Sequence, residues 1–468
     1  MVSSEAAPWA KTGGLADVVG ALPGSLQPLG NDVAVIIPRY GSIDLKGSRR
    51  VYDNLPIFLA GKRYDTAVYL APADFPLYLL DCPVLYDRPG LYNEAGVDYP
   101  DNHIRFAVLA RAALAVARVL FRTEIFHCHD WQAGTLPVYL KTTFASDPTF
   151  IGVKTLFTIH NLGYQGLFRP SALSEVALDS SVYRPDRMEF YSDISYIKGG
   201  IQYSDALTTV SPTYAREIQT PEFGFGLDGV LRSRANVLTG IINGIDYKQW
   251  NPETDPFLPA HFSATDLAGK MICKQHLLSE YGLPAEAIDR PLIGIVSRFA
   301  AQKGTELIAQ VVPGILAENL YLVVLGNGDP DYEAYFERLA SENSGRIGVR
   351  IGFDNGLAHR IEAGSDLFLM PSRYEPCGLN QLYSLRYGTV PVVRATGGLD
   401  DTIEESTGFK FAEYTGHAFW QAIRAAVELY AHRDSWQQMV ARGMQKDFSW
   451  DFSAAAYSAL YRRLLGRV

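Results

Sequence analysis

The strongest constraint in this chain is the alternation of short apolar runs with stretches of helical period through its second half. Residues 292–297, 321–325, 349–353, 366–370 and 390–393 form apolar runs of strand length. Between them, 303–318, 331–343, 357–363 and 378–388 place apolar side chains at helical spacing. Successive strands joined through a helix pair in parallel, because the crossover returns the chain to the same end of the sheet. The pattern therefore predicts a doubly wound parallel sheet wrapped by helices. Several strands run into Gly-rich turns, including Gly326-Asn327-Gly328-Asp329 and Thr396-Gly397-Gly398. In such folds ligands bind beyond the carboxyl ends of the strands.

The first half repeats the theme: 32–38, 125–128, 154–160 and 206–210 read as buried strands, and 103–120 as a long, mostly buried helix. At 468 residues the chain exceeds one ordinary core. The run Trp250-Asn251-Pro252-Glu253-Thr254-Asp255-Pro256 breaks regular structure just after Asn243-Gly244-Ile245-Asp246. The expected fold class is α/β: two doubly wound, Rossmann-like domains, 1–246 and 247–449, facing each other across a cleft. One feature is odd. Only residues 1–4 precede Glu5, too few for the buried strand that should lead into the Gly-rich turn at 11–15.

Charge and composition narrow the function. The net charge is −9 and the Lys and Arg residues are not gathered in runs, so no nucleic-acid partner is expected. No apolar stretch approaches the about 18 residues of a membrane span. Residues 1–5 lack the basic and apolar parts of a signal peptide. Cys82, Cys128, Cys273 and Cys377 lie far apart, without metal-ligand spacing, which fits reduced thiols in a cytoplasmic protein. The 27 Tyr, 23 Phe and 6 Trp offer rings on which sugars stack, though most should serve the core.

Five segments carry chemistry. In Lys11-Thr12-Gly13-Gly14-Leu15-Ala16-Asp17-Val18 the paired glycines let backbone approach a ligand, the following helix offers N–H groups, and Lys11 adds a mobile charge; a tight turn with a surface lysine is the plainer reading. Ser297-Arg298-Phe299, with Lys303 five residues after Arg298, sets two cations near one strand end, an arrangement suited to a diphosphate. In Pro371-Ser372-Arg373-Tyr374-Glu375-Pro376-Cys377-Gly378-Leu379, Glu375 could bond sugar hydroxyls or merely favour a helix start. Thr158-Ile159-His160-Asn161 ends an apolar strand in polar residues, where a histidine is either catalytic or a satisfied core group. His127-Cys128-His129-Asp130-Trp131 invites a metal reading, but no further ligand pattern completes a set, and no metal is expected.

Together and in this order the segments resemble the glycogen/starch synthase family, retaining glycosyltransferases of the two-Rossmann-domain (GT-B) type that use ADP-glucose. The resemblance covers essentially the whole chain. It rests on KTGGLADVVGALP (11–23), YNEAGVDYPDN (92–102), FHCHDWQAG (126–134), TIHNLGYQG (158–166), TVSPTYAREI (209–218), NGID (243–246), SRFAAQKG (297–304), SRYEPCGLNQLYSLRYGT (372–389) and TGGLDDT (396–402). Each is weak alone, and the colinear set is specific. The bacterial-type members fit best.

The resemblance implies site residues by position. Lys11, Gly13, Gly14 and Asp17 would approach the donor ADP-glucose, with Arg298 and Lys303 on its diphosphate. Glu375 would meet the glucosyl unit and the backbone of Cys377, Gly378 and Leu379 the phosphates. His160 would sit beside the transferred sugar, with Asp130, Asn161 and Asn243 lining the same cleft, and Phe353 would stack on adenine. Residues 450–468 would form a helix returning to the N-terminal domain. The implied partners are ADP-glucose and an α-1,4-glucan (glycogen, starch or a maltooligosaccharide), with no cofactor. Asn380 departs from the Thr often found there, which puts one phosphate contact in doubt. The rivals are a glucan phosphorylase, which needs a cofactor-bearing lysine, a sugar-nucleotide epimerase, and a non-catalytic glucan-binding protein, which should have lost Arg298, Lys303 and Glu375.

Overall fold

A computed structural model describes residues 1–94 and 96–467; Ala95, inside the 92–102 motif, lies outside the described residues. Two compact units divide the chain, Met1–Gly244 with Trp450–Val468, and Ile245–Ser449.

The second unit is built on a six-stranded, wholly parallel sheet. In spatial order its strands are Ile347–Ile351, Tyr321–Gly328, Leu292–Phe299, Leu367–Met370, Val390–Arg394 and Phe409–Phe411. Counted along the chain that order is 3-2-1-4-5-6, so winding reverses between Leu292–Phe299 and Leu367–Met370. At that reversal the crossovers leave to opposite faces and open a crevice at the strands' carboxyl ends. The strands are apolar along their length because helices cover both faces. Ile293, Ile295, Leu322, Val324, Leu367, Leu369 and Val392 serve one core; Leu292, Val323, Leu325, Phe368 and Val393 serve the other. The strand expected at 349–353 lies at Ile347–Ile351. Gly352, at φ +135°, takes the chain out of the sheet, so Phe353 stands on a loop rather than in the strand.

The first unit follows the same principle with more irregularity. Ile125–His129, Lys154–Ile159, Ala206–Thr209 and Leu238–Gly240 pair in parallel. Val35–Pro38 pairs in parallel with Leu77–Asp81, which continues into an antiparallel meander through Ala67–Leu70 and Arg49–Tyr52. The short opening segment joins the two halves: Val2 bridges Ile36 on one side and Cys128 on the other. Its N–H donates to the His127 carbonyl at 2.8 Å and its carbonyl accepts from His129 N–H at 3.0 Å. Three residues thus satisfy the facing backbone groups that a longer strand would otherwise serve. The helix Trp450–Leu464 presents Trp450, Ala454, Tyr457 and Leu460 on one stripe, packed with Val18, Leu22 and Leu26 of the helix Gly14–Leu26.

No helix among the described residues is long and apolar enough to cross a membrane.

Candidate functional site

In the second unit the expected residues gather at the switch point of the sheet. The strand Leu292–Phe299 ends in exposed Arg298, and the turn Ala301–Lys303 follows. The neighbouring strand Leu367–Met370 leads into Ser372 and Glu375. Two hydrogen bonds zip the loops together: Arg373 N–H donates to the Gln302 carbonyl at 2.8 Å, and the Gln302 side-chain Nε2 to the Tyr374 carbonyl at 3.3 Å. Gly304 makes this approach possible. It sits at φ +72°, and a Cβ there would lie 2.0 Å from the Pro371 carbonyl oxygen.

The result is an ion pair between Lys303 Nζ and Glu375 Oε2 at 2.6 Å, with Ser372 Oγ donating to the same oxygen at 2.9 Å. Glu375 is buried and Lys303 partly so. Ser372 has no signal in sequence beyond its place in the loop, yet it donates to the same carboxylate oxygen as the lysine. The turn at Thr396-Gly397-Gly398 backs onto this loop so closely that a Cβ on Gly397 would lie 1.9 Å from the Glu375 carbonyl oxygen. Arg298 forms no ion pair among the described residues.

Beyond Glu375 the chain enters the helix Asn380–Arg386. Gln381 Nε2 donates to the carbonyls of Cys377 and Gly378 at 3.0 and 3.1 Å, which shapes the 377–379 backbone. Asn380 Nδ2 donates to the Val296 carbonyl at 2.9 Å, so this side chain braces the end of the Arg298 strand. Pairing between Leu292–Phe299 and Leu367–Met370 covers only Ile293 and Gly294, and the asparagine serves a carbonyl further along. Phe353 is 85% exposed and stands two strands away from Arg298, at roughly 10 Å across the sheet.

The first unit assembles its residues differently. The loop expected to approach a donor hangs on Glu5, which the sequence reading passed over. Glu5 accepts from the Thr12 N–H and Thr12 Oγ1, the latter at 2.6 Å, and from the Tyr92 hydroxyl. Burial raises its pKa, against these hydrogen bonds. Lys11, expected to be mobile, pairs with Asp17 at 2.5 Å, and burial raises the Asp17 pKa although Lys11 opposes it. Gly13 is fully extended and a Cβ there would meet nothing within 4 Å, so open space borders the backbone just before the helix that begins at Gly14.

Asp130, His160 and Asn161 meet at the ends of Ile125–His129 and Lys154–Ile159. Asp130 adopts φ +55°, which Asp tolerates better than most residues, and its Oδ1 accepts from His160 N–H at 2.7 Å. Its carboxyl is pushed up to about 7 by burial; the N–H groups of His160 and Asn161 pull the other way. His160 Nε2 lies 3.0 Å from His129 Nδ1. Burial lowers the His160 pKa to about 3 and holds His127 and His129 well below the ordinary imidazole value. All three rings are therefore neutral near pH 7. His127 is engaged by Tyr461 and Thr158 at 2.7 and 2.6 Å, which is a structural assignment rather than a ligand set. Among the described residues no three His, Cys, Asp or Glu side chains group to hold a metal. Asn161 Oδ1 accepts from Gly163 N–H at 2.9 Å. Asn243 lies buried after Leu238–Gly240 with its Oδ1 unpartnered among the described residues, and no hydrogen bond joins that oxygen to the His160 group.

Comparison with known proteins bears on the family and the fold. Residues 1–233 match the family described as starch synthase catalytic domain, and residues 284–442 match glycosyl transferases group 1. A glycogen synthase of Anaeromyxobacter dehalogenans (strain 2CP-C) is 52% identical, covering 99% of this chain and 98% of the relative. A glycogen synthase of Koribacter versatilis is 48% identical over 98% and 97% of the two chains. Among solved structures, the catalytic domain of starch synthase IV from Arabidopsis thaliana, bound to ADP and acarbose, superposes with a TM-score of 0.92 at 34% identity, covering 100% of this chain and 99% of that one. Sucrose-phosphate synthase from Thermosynechococcus elongatus gives a TM-score of 0.61 at 19% identity, covers 99% and 95% of the two chains, and speaks to the fold alone. The fold is GT-B, two Rossmann-like α/β units, and the chain belongs to the glycogen/starch synthase family.

Proposed function

We propose that this chain transfers glucose from ADP-glucose to the non-reducing end of an α-1,4-glucan, with retention of the α configuration, in a cytoplasmic setting. One observation carries the reading: Arg298, Lys303 and Glu375 converge at the switch point of the second sheet, in a chain that aligns end to end with glycogen synthases. Unit Ile245–Ser449 holds the nucleotide sugar, and the unit that starts at Met1 serves the acceptor.

Arg298 grips the diphosphate bidentately and Lys303 supplies a point charge, shared between Glu375 and the phosphate oxygens. The 377–379 backbone adds N–H donors, and Phe353 stacks on the adenine. Lys11, Asp17 and the Gly13-Gly14 backbone approach the donor phosphates, and Glu5 holds that loop in shape. Glu375 bonds the glucose hydroxyls; His160 lies beside the sugar, with Asn161 and Asn243 on the same substrate.

The reaction breaks the bond from the anomeric carbon to the β-phosphate oxygen and forms one to the acceptor 4-oxygen. The acceptor proton passes to the departing diphosphate on the same face. A double displacement would need a free carboxylate nucleophile. Asp130 is poorly suited to that part: one oxygen is spent on the His160 amide, and a pKa of about 7 leaves much of it neutral. Its role is to position His160. Charge developing on ADP is met by Arg298 and Lys303, the largest expected contribution to the rate. No cofactor enters the scheme, and the two cations perform the neutralisation that a divalent metal would otherwise supply.

A donor screen with glycogen and maltooligosaccharide acceptors tests the reading. Incorporation from ADP-glucose, with little from UDP-glucose and none of it lost to a chelator, is expected. Equal or better turnover with UDP-glucose would overturn the donor assignment.

A further inference from the structure

We infer that His129 is a positioning residue: it holds His160 in the tautomer with its proton on Nδ1, so that His160 offers the transferred sugar an N–H donor. The inference deepens the function proposed above, because it rests on the reading that His160 borders that sugar. The strand Ile125–His129 ends in His129, and its neighbour Lys154–Ile159 leads straight into His160. Their parallel register sets His129 opposite Thr158. His160, two residues on from Thr158, shares that face of the sheet and lies on the diagonal from His129.

The rings on this face are fixed in turn. His127 is engaged at both nitrogens, by Tyr461 and Thr158. The His129 ring lies against His127, with centroids 4.1 Å apart and planes inclined by 31°. His129 Nδ1 then stands 3.0 Å from His160 Nε2. Asp130 holds the main chain of the same residue by accepting from His160 N–H. His160 is thus held at its backbone by Asp130 and at its ring by His129.

The contact between the two rings has room for one proton, and two arrangements supply it. If His160 Nε2–H donates, His129 carries its own proton on Nε2, an atom that is buried and has no partner among the described residues. If His129 Nδ1–H donates, that same Nε2 is a bare lone pair. A buried N–H without an acceptor is rarer than an acceptor left unused. The second arrangement is therefore the one that the fold stabilises. It makes His160 Nε2 the acceptor and puts the His160 proton on Nδ1, since the hydrogen bond at one ring nitrogen sets what the other carries. His160 keeps a little exposed surface, and its Nδ1 makes no hydrogen bond among the described residues, so Nδ1 is the nitrogen left for a ligand. Both rings are neutral near pH 7, and His160 gives its hydrogen bond without setting a charge beside the sugar.

Two-bond proton–nitrogen correlation spectra of protein carrying isotope-labelled histidine read the tautomer, with the His160 signals identified by their loss in His160→Gln. Nδ1 of His160 is expected to report as protonated and Nε2 as bare; the reverse overturns the inference. Steady-state kinetics then separate positioning from packing. His129→Asn brings an amide N–H close to where Nδ1 stood, and its kcat is expected to stay within about three-fold of wild type. His129→Leu fills the space without a donor, and its kcat is expected to fall about ten-fold or more with KM for the acceptor little changed, as for a misaligned contact. Melting curves establish that both variants are folded, and the wild-type spectrum stands independently of them. Equal losses in the two variants, or an unchanged kcat in His129→Leu, would make His129 a packing residue and overturn the inference. The spectrum needs no turnover. A wild-type protein inactive on ADP-glucose would bring down the function proposed above while leaving the tautomer as it is, and the two failures are thereby told apart.

Discussion

The two units build their sites on the same device, loops beyond the carboxyl ends of a parallel sheet, and equip them in opposite ways. The second unit sets formal charges close together: Lys303 and Glu375 at 2.6 Å, with exposed Arg298 on the adjoining strand end. The first unit removes charge from its deepest part. His127, His129 and His160 are buried and neutral, and Asp130 beside them titrates near 7. A charged diphosphate calls for fixed cations that need no reorganisation as the leaving group develops charge. A sugar ring and an incoming hydroxyl call for a dry, neutral pocket in which water does not compete. On the function proposed above, the contrast gives electrostatic work to one unit and desolvated positioning to the other.

That division can be broken at its strongest point. Lys303→Ala should lower turnover by about two powers of ten, the order for loss of one preorganised charge at a leaving group. Lys11→Ala, in the first unit, should cost only about one power of ten, since Lys11 is half exposed and already engaged by Asp17. Steady-state rates on folded protein check both, and equal losses at the two positions would erase the contrast. A smaller effect sharpens the first unit's side. Asp130→Asn keeps an oxygen for the His160 amide but cannot ionise. With a folded pKa near 7, against 3.8 ordinarily, the unfolded wild-type carboxyl ionises first as pH rises, so its stability falls between about pH 4 and 7. Asn removes that loss. The stability of the variant relative to wild type should therefore grow by at least about 1 kcal/mol across that window, read from melting curves. A difference independent of pH would mean Asp130 is not the desolvated group described here.

Much of this was legible in the sequence, for physical reasons that also explain what was not. The parallel strands of the second unit are buried on both faces and read as unbroken apolar runs. Arg298, Lys303 and Glu375 announce themselves as polar residues at the ends of those runs. The antiparallel strands Arg49–Tyr52 and Ala67–Leu70 have mixed burial and no clean alternation, and went unseen. The misplaced strand end near Phe353 turned on the conformation of Gly352, which spacing alone does not encode. Glu5 and Ser372 were missed for a different reason. Each is ordinary in its local context and gains its role through a contact distant along the chain: Glu5 bonds Tyr92, and Ser372 bonds the Glu375 carboxylate that Lys303, some seventy residues earlier, also holds.

The central claim is that charge at the second unit's switch point drives transfer, and Glu375→Gln tests it most directly. Glutamine nearly matches the shape of glutamate and can still accept from Ser372, but it offers Lys303 no counter-charge and the sugar no carboxylate. Three quantities on the one variant decide the matter: melting temperature, ADP affinity and turnover. The variant is expected to fold, to bind ADP still, and to lose about 3 kcal/mol of transition-state stabilisation, a fall in turnover of roughly two powers of ten. A lowered melting temperature with unchanged turnover per folded molecule would mean that Glu375 merely braces its loop, and would contradict the account.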